Sequence, residues 1–208
     1  DEDRSIDSCR VIDRPGSYEL TDDIDAAETG GTDGVCLRIA SSDVEVSGNG
    51  HVIDGSGVEN ASEWGGADVR IGLQVYASGD EVENVTVRNL RVRNWGLGVE
   101  IGNFRDARPA EATLDDVTAS ENEDDGIFLV SASGSTLRDV SADRNGLDGI
   151  TLWESSDVTF ERVSASENGD EGIFLWDTVL ESEFTRVTAM DNGGDGILAS
   201  TDVSRNTI

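Results

Sequence analysis

Lysine is absent from this 208-residue chain, whose 15 basic residues are all Arg. Proline (two), cysteine (two), methionine (one) and histidine (one) are nearly absent as well. Each scarcity excludes something. With 15 cations against 44 acids and a formal net charge of −29, the surface repels nucleic-acid phosphates, so nucleic acid is excluded as a partner. An anionic membrane surface is excluded on the same grounds, and no apolar run approaches the roughly 20 residues of a membrane-spanning helix. One His, one Met and two Cys leave too few soft or imidazole ligands for copper chemistry. Aromatics are sparse too, four Trp, two Tyr and five Phe, which makes their placement informative. What remains is 36% hydrophobic residues in an ordered pattern, which argues against disorder, and a length suited to one domain.

Self-repulsion at this charge destabilises a compact state unless it is screened, and molar salt shortens the Debye length to about 3 Å. Acid excess without Lys resembles the proteins of halophilic archaea and implies a saline habitat. Cys9 and Cys36 are either a disulfide or two buried thiols. The disulfide is the expectation. It would tie the N-terminal segment to the first repeat, worth about 3–4 kcal/mol, and would place the protein extracellularly or at the cell surface. Asp1 is then expected to follow a processed leader. Asn60-Ala61-Ser62 and Asn84-Val85-Thr86 are glycosylation sequons.

Self-comparison organises the rest. Asn122-Glu-Asp-Asp-Gly126-Ile127-Phe-Leu129 returns at Asn145–Leu152, at Asn168–Leu175 and at Asn192–Ala199, with glycines 23, 23 and 24 residues apart. Weaker copies lie at Asn94–Ile101 and around Gly72 and Gly34. Between glycines, Leu114, Leu137, Phe160 and Phe184 are equivalent, and so are Val117, Val140, Val163 and Val187. Each repeat is three short stretches of period two separated by polar turns, a strand signal. One such unit cannot bury its apolar face alone, but a stack can. The expected fold is all-β, a right-handed parallel β-helix of about seven coils of roughly 23 residues. It is expected over residues 34–208, with a capping segment at 1–33 and insertions near 56–70 and 103–111. A leucine-rich-repeat horseshoe lacks its leucine spacing here. The stretch Ser42-Asp-Val44-Glu-Val46-Ser-Gly48-Asn49-Gly50-His51-Val-Ile53-Asp54-Gly55 resembles the opening coil of the parallel β-helix repeat family, which includes NosD-like and carbohydrate-binding or sugar-hydrolase proteins. That resemblance is specific for fold. It says little about activity, because the group includes lyases, hydrolases, adhesins and binding proteins.

Stacked coils turn equivalent positions into vertical files. Asn94, Asn122, Asn145, Asn168 and Asn192 are expected as a turn-stabilising amide ladder. Gly98, Gly126, Gly149, Gly172 and Gly196 are expected to supply backbone conformations closed to other residues. Asp125, Asp148, Glu171 and Asp195 form an acidic file, expected to be solvated or, in the alternative, to hold a hard cation such as Ca²⁺. With Ile and Leu inward, Phe128, Val130, Trp153, Phe174 and Trp176 face outward. They are a candidate sugar-stacking platform or protein contact unless a loop covers them.

Catalysis is not indicated. Adjacent aspartates occur, but the Gly-His-Gly and Arg-Ile-Lys elements of polygalacturonase-like sites do not, and 44 acids make chance carboxylate pairs uninformative. Aligning residues 202–208 with 157–163 puts Arg205 in the place of Phe160 and leaves Ile208 in an unfinished coil, an edge inviting strand addition. The functional expectation is a secreted, non-catalytic cell-surface or filament subunit that self-associates head-to-tail or laterally. A glycan-binding module using the aromatic face is the first alternative, and a polysaccharide lyase or glycoside hydrolase the second. No cofactor beyond the Ca²⁺ alternative is expected.

Overall fold

The computed structural model describes residues 4–26, 34–57, 70–104 and 109–208. Residues 58–69 and 105–108 of the two expected insertions, and with them Asn60 and Trp64, lie outside the described residues. The chain winds as a parallel β-solenoid. One sheet has eight strands: β2 (Arg10–Ile12), β5 (Val35–Ile39), β8 (Ile71–Val75), β10 (Leu97–Ile101), β12 (Ile127–Val130), β14 (Ile150–Trp153), β16 (Ile173–Asp177) and β18 (Ile197–Thr201). A ten-stranded sheet closes the remaining sides, with β1 (Ser5–Ile6), β3 (Gly16–Leu20), β4 (Ile24–Asp25), β6 (Val44–Ser47), β7 (Val52–Asp54), β9 (Val82–Arg93), β11 (Ala110–Ser120), β13 (Thr136–Arg138), β15 (Thr159–Glu161) and β17 (Glu183–Thr185). All strand pairs within these sheets are parallel, as coiling in one direction requires.

Register makes the files real. Val99, Ile127, Ile150, Ile173 and Ile197 stand over one another in the interior, and Leu114, Leu137, Phe160 and Phe184 do the same on the next side. Phe160 and Phe184 stack with centroids 4.5 Å apart. The hydrophobic column is continuous because each rung supplies the surface that buries its neighbour.

The winding count is about six, a little below the seven expected. Early coils are longer. Register sets Cys36, Gly72, Gly98 and Gly126 in one file at intervals of 36, 26 and 28 residues, before the 23-residue period begins. Cys36, rather than Gly34, therefore stands in the glycine file on its rung, with Cys9 opposite it on the rung before. It is disulfide-bonded to Cys9 with a Cα–Cα distance of 4.4 Å, two neighbouring positions of adjacent rungs. The described part of the expected cap, residues 4–26, forms β1 to β4, which pair in parallel with β3, β5, β6 and β7.

The corners differ from expectation. Glycines 98, 126, 149, 172 and 196 do not have positive φ; their role is spatial. A Cβ on Gly126 would come within 2.5 Å of the Asn145 amide nitrogen and 2.8 Å of the Gly149 carbonyl. Left-handed φ falls instead on polar residues, such as Glu121 (59°), Arg144 (60°), Glu167 (59°) and Asp191 (58°) at one corner. One cation interrupts the acids there, and Arg144 meets Glu121 at 3.8 Å.

Candidate functional site: an aromatic face beside a buried acid file

Next to the glycine corner runs an amide spine. Asn122, Asn145 and Asn168 each donate a side-chain N–H to the carbonyl oxygen of the following Asn (2.9, 3.1 and 3.1 Å), and that oxygen also accepts the backbone N–H. The amides of Asn145, Asn168 and Asn192 also donate to the carbonyls of Ala119, Ala142 and Ala165. Satisfying both ends of a buried amide is what makes its burial affordable. Asn94 is not part of this file. Register puts it opposite Glu121, and Trp95 heads the ladder, donating its backbone N–H to Asn122 at 3.1 Å. Asn94 binds Asp54 and Ser56 instead.

One step along lies the acidic file, and it is drawn inward rather than solvated. Asp125 is 1% exposed and Asp148 6%, Glu171 is half-buried, and Asp195 is exposed. The backbone N–H of the next rung pulls each carboxyl in: Asp148 donates to Asp125 Oδ1 at 3.1 Å, and Glu171 to Asp148 Oδ1 at 2.8 Å. Thr151 Oγ1 donates to Asp148 Oδ2. Burial raises the pKa of Asp125 to about 8, helped by the Asp148 charge, and burial raises that of Asp148 to about 6. Among the described residues, no three acids, histidines or cysteines converge on a point that would hold a metal ion.

The outward face of the eight-stranded sheet changes character along its length. In its first half, Arg38 Nε donates to Gln74 Oε1 (2.9 Å), Gln74 Nε2 to Glu100 Oε2 (2.5 Å), and the backbone of Phe104 to Glu100 Oε1 (3.1 Å). The next rungs carry Phe128, Thr151, Phe174 and Leu198 in the same file. Phe104 folds back onto them, with centroids 5.8 Å from Phe128, 4.7 Å from Trp153 and 6.1 Å from Trp176. Trp176 lies 5.9 Å from Trp153 and 6.2 Å from Phe174. It occupies a bulge, since Trp153 pairs with Asp177, and the extra residue re-aims the indole onto the row.

This corrects the expected interface. Phe128 (6% exposed) and Val130 (0%) do point outward but are buried in a satellite cluster with Leu97, under Phe104. Trp153, Phe174 and Trp176 stay half-buried. Arg205 is misplaced by sequence alignment. Bridges at Leu180–Ser204 and Glu183–Thr207 put Ile208, not Arg205, after Phe160 and Phe184. Arg205 sits at a left-handed corner, exposed, paired with Glu181 at 2.8 Å, and Ile208 is 78% exposed. Sequence reading missed the Arg38–Gln74–Glu100 file because unequal early coils hid the register. Phe104 left a signal, as an apolar residue inside an insertion.

A parallel solenoid with inward aliphatic files defines the β-helix class. The family model described as "Right handed beta helix region" matches residues 30–208, and the chain belongs to that family. Among solved structures, it is similar to the Dettilon tailspike protein (14% identity, TM-score 0.66), covering 97% of this chain and 41% of that one. It is also similar to the A-module of Azotobacter vinelandii mannuronan C-5 epimerase AlgE6 (14%, TM-score 0.48), covering 88% and 63%. The chain thus spans about two-fifths of the first and under two-thirds of the second. No curated protein matches it.

Proposed function

We propose that the chain is a non-catalytic extracellular protein that recognises a polysaccharide through the aromatic face. The observation that carries this reading is the state of the rings. Phe104 seals Phe128, while Trp153, Phe174 and Trp176 stay half-buried in a row fixed by packing. All three rings offer a rigid apolar stacking surface for a sugar ring, and the two indoles add a polar edge. The row is also small. Stable protein interfaces bury roughly 800 Å² per partner, and none of the three is among the large exposed hydrophobics.

Self-assembly into a cell-surface layer or filament is the other use of the same face. It must overcome repulsion between copies of net charge −29, which only concentrated salt screens. The Cys9–Cys36 disulfide supports an oxidising, extracytoplasmic setting, and the acid excess supports the saline, haloarchaeal one. Asn84, exposed at a left-handed corner with its amide on Asp43, is a glycan acceptor in this setting.

The test is retention on immobilised polysaccharides in molar salt, run beside sedimentation, for the native chain and for Trp153→Ala/Trp176→Ala. The expected result is a retained monomer whose double variant runs through. Unchanged retention overturns the reading. A native polymer that the double variant dissolves assigns the face to self-assembly, and release of reducing or unsaturated ends assigns it to catalysis.

A further inference from the structure

Among the described residues, Asp125 carries the one buried side-chain polar atom without a hydrogen-bond partner. Its Oδ1 accepts the Asp148 backbone N–H, while its Oδ2 is buried without a hydrogen-bond partner. The neighbouring rung explains why. Three residues after Asp148 stands Thr151, whose hydroxyl serves Asp148 Oδ2; three residues after Asp125 stands Phe128. On the preceding rung the position facing Asp125 is Leu97, which packs with Phe128 and Phe104. The charged groups acting on Asp125 are acids, Asp148 on the next rung and Asp124 beside it, while Glu171 faces Asp148 in turn. An anion there would set only the Asp148 N–H and the nearby Thr151 hydroxyl, which makes no hydrogen bond to its Oδ2, against burial and the like charges above and beside it.

A hard cation does not resolve this, because Ca²⁺ takes six to eight oxygens, whereas Leu97 and Phe128 present carbon and no acid triad converges. We propose that Asp125, stacked on Asp148, is a proton-binding site that controls the aromatic face: protonated, it lets the rungs close beneath Phe104 and Phe128, and ionised, it parts them. The coupling is direct, since Leu97 and Phe128, which wall in the carboxyl, also support Phe104, Trp153 and Trp176. Burial of Asp125 agrees with this, raising its pKa to about 8, as does that of Asp148, raised to about 6. The inference holds whatever occupies the face.

The experiment follows the full chain in molar NaCl, by the infrared band of neutral carboxylic acid and by tryptophan emission from pH 5 to 10. The expected result is an acid band that persists at pH 7 and an emission shift whose midpoint lies about two or more pH units above the ordinary carboxylate range. Asp125→Asn, a neutral mimic, should abolish both while remaining folded. Asp148→Asn, which removes a like charge, should lower the midpoint without abolishing it. Full ionisation at pH 7 overturns the proposal, as does a transition retained in Asp125→Asn or a midpoint indifferent to Asp148→Asn. A midpoint lowered by one unit or more on adding CaCl₂ at fixed ionic strength also overturns it, in favour of a cation.

Discussion

The two halves of one outward file contrast sharply. Positions Arg38, Gln74 and Glu100 pass hydrogen bonds from guanidinium to amide to carboxylate, while Phe128, Thr151, Phe174 and Leu198 continue the same register in mostly apolar side chains. The inward neighbours stay aliphatic from Leu37 to Ile197. The interior is therefore dictated by stacking, whereas the exterior is free to change, and the abrupt change at Phe128 is where a surface has been built. Phe104, held by Glu100 through its backbone, is the joint between the two halves.

The contrast can be broken or sharpened in graded steps. Phe160→Ala, which opens a cavity in the interior file and removes its stacking on Phe184, should cost about 3–5 kcal/mol in denaturant unfolding. Replacing both Cys9 and Cys36 by Ser should cost about 2–4 kcal/mol, with hydrogen exchange rising in β2 and β5 before β14 and β16. Asn145→Ala strands the buried backbone and side-chain N–H groups of Asn122 and should cost about 1–3 kcal/mol. An effect that depends on conditions comes from pH. Because Asp125 has a folded pKa of about 8 against 3.8 in its ordinary state, the native chain binds more protons between those values. Its contribution is favourable in acid and is lost progressively as pH rises from about 4 to about 8. Asp125→Asn should flatten that slope in thermal melts taken across the window. Smallest of all, Arg205→Ala removes an exposed corner pair with Glu181 and should leave unfolding unchanged.

Legibility in the sequence followed the spacing. Where coils repeat at 23 residues, Ile127, Ile150 and Ile173 and the asparagine spine were readable, because vertical neighbours are fixed intervals apart. Where a coil gains or loses a residue, interval reading slips. It placed Asn94 with Asn122 although a deletion had shifted it, and it set Arg205 in the place of Ile208. The outward direction of Phe128 and Val130 was also legible, since alternation decides it. Their burial was not, because it depends on Phe104 returning across the face from outside the repeat. The fate of the acids was illegible for a different reason. Only the backbone shows that the N–H of one rung captures the carboxyl of the rung before it.

The reciprocal fit at the glycine corner has a consequence for how such a chain can change size. Each asparagine amide fills the room left by the missing side chain of the glycine on the rung before, as Asn145 does at Gly126 and Asn168 at Gly149. Adding or removing one residue at that corner would unseat the amide from the glycine it fills, so length can change only elsewhere on the rung. The 24-residue rung from Gly172 to Gly196 shows it: its extra residue is the Trp176 bulge on the outward face, and Asn192 still fills the room at Gly172.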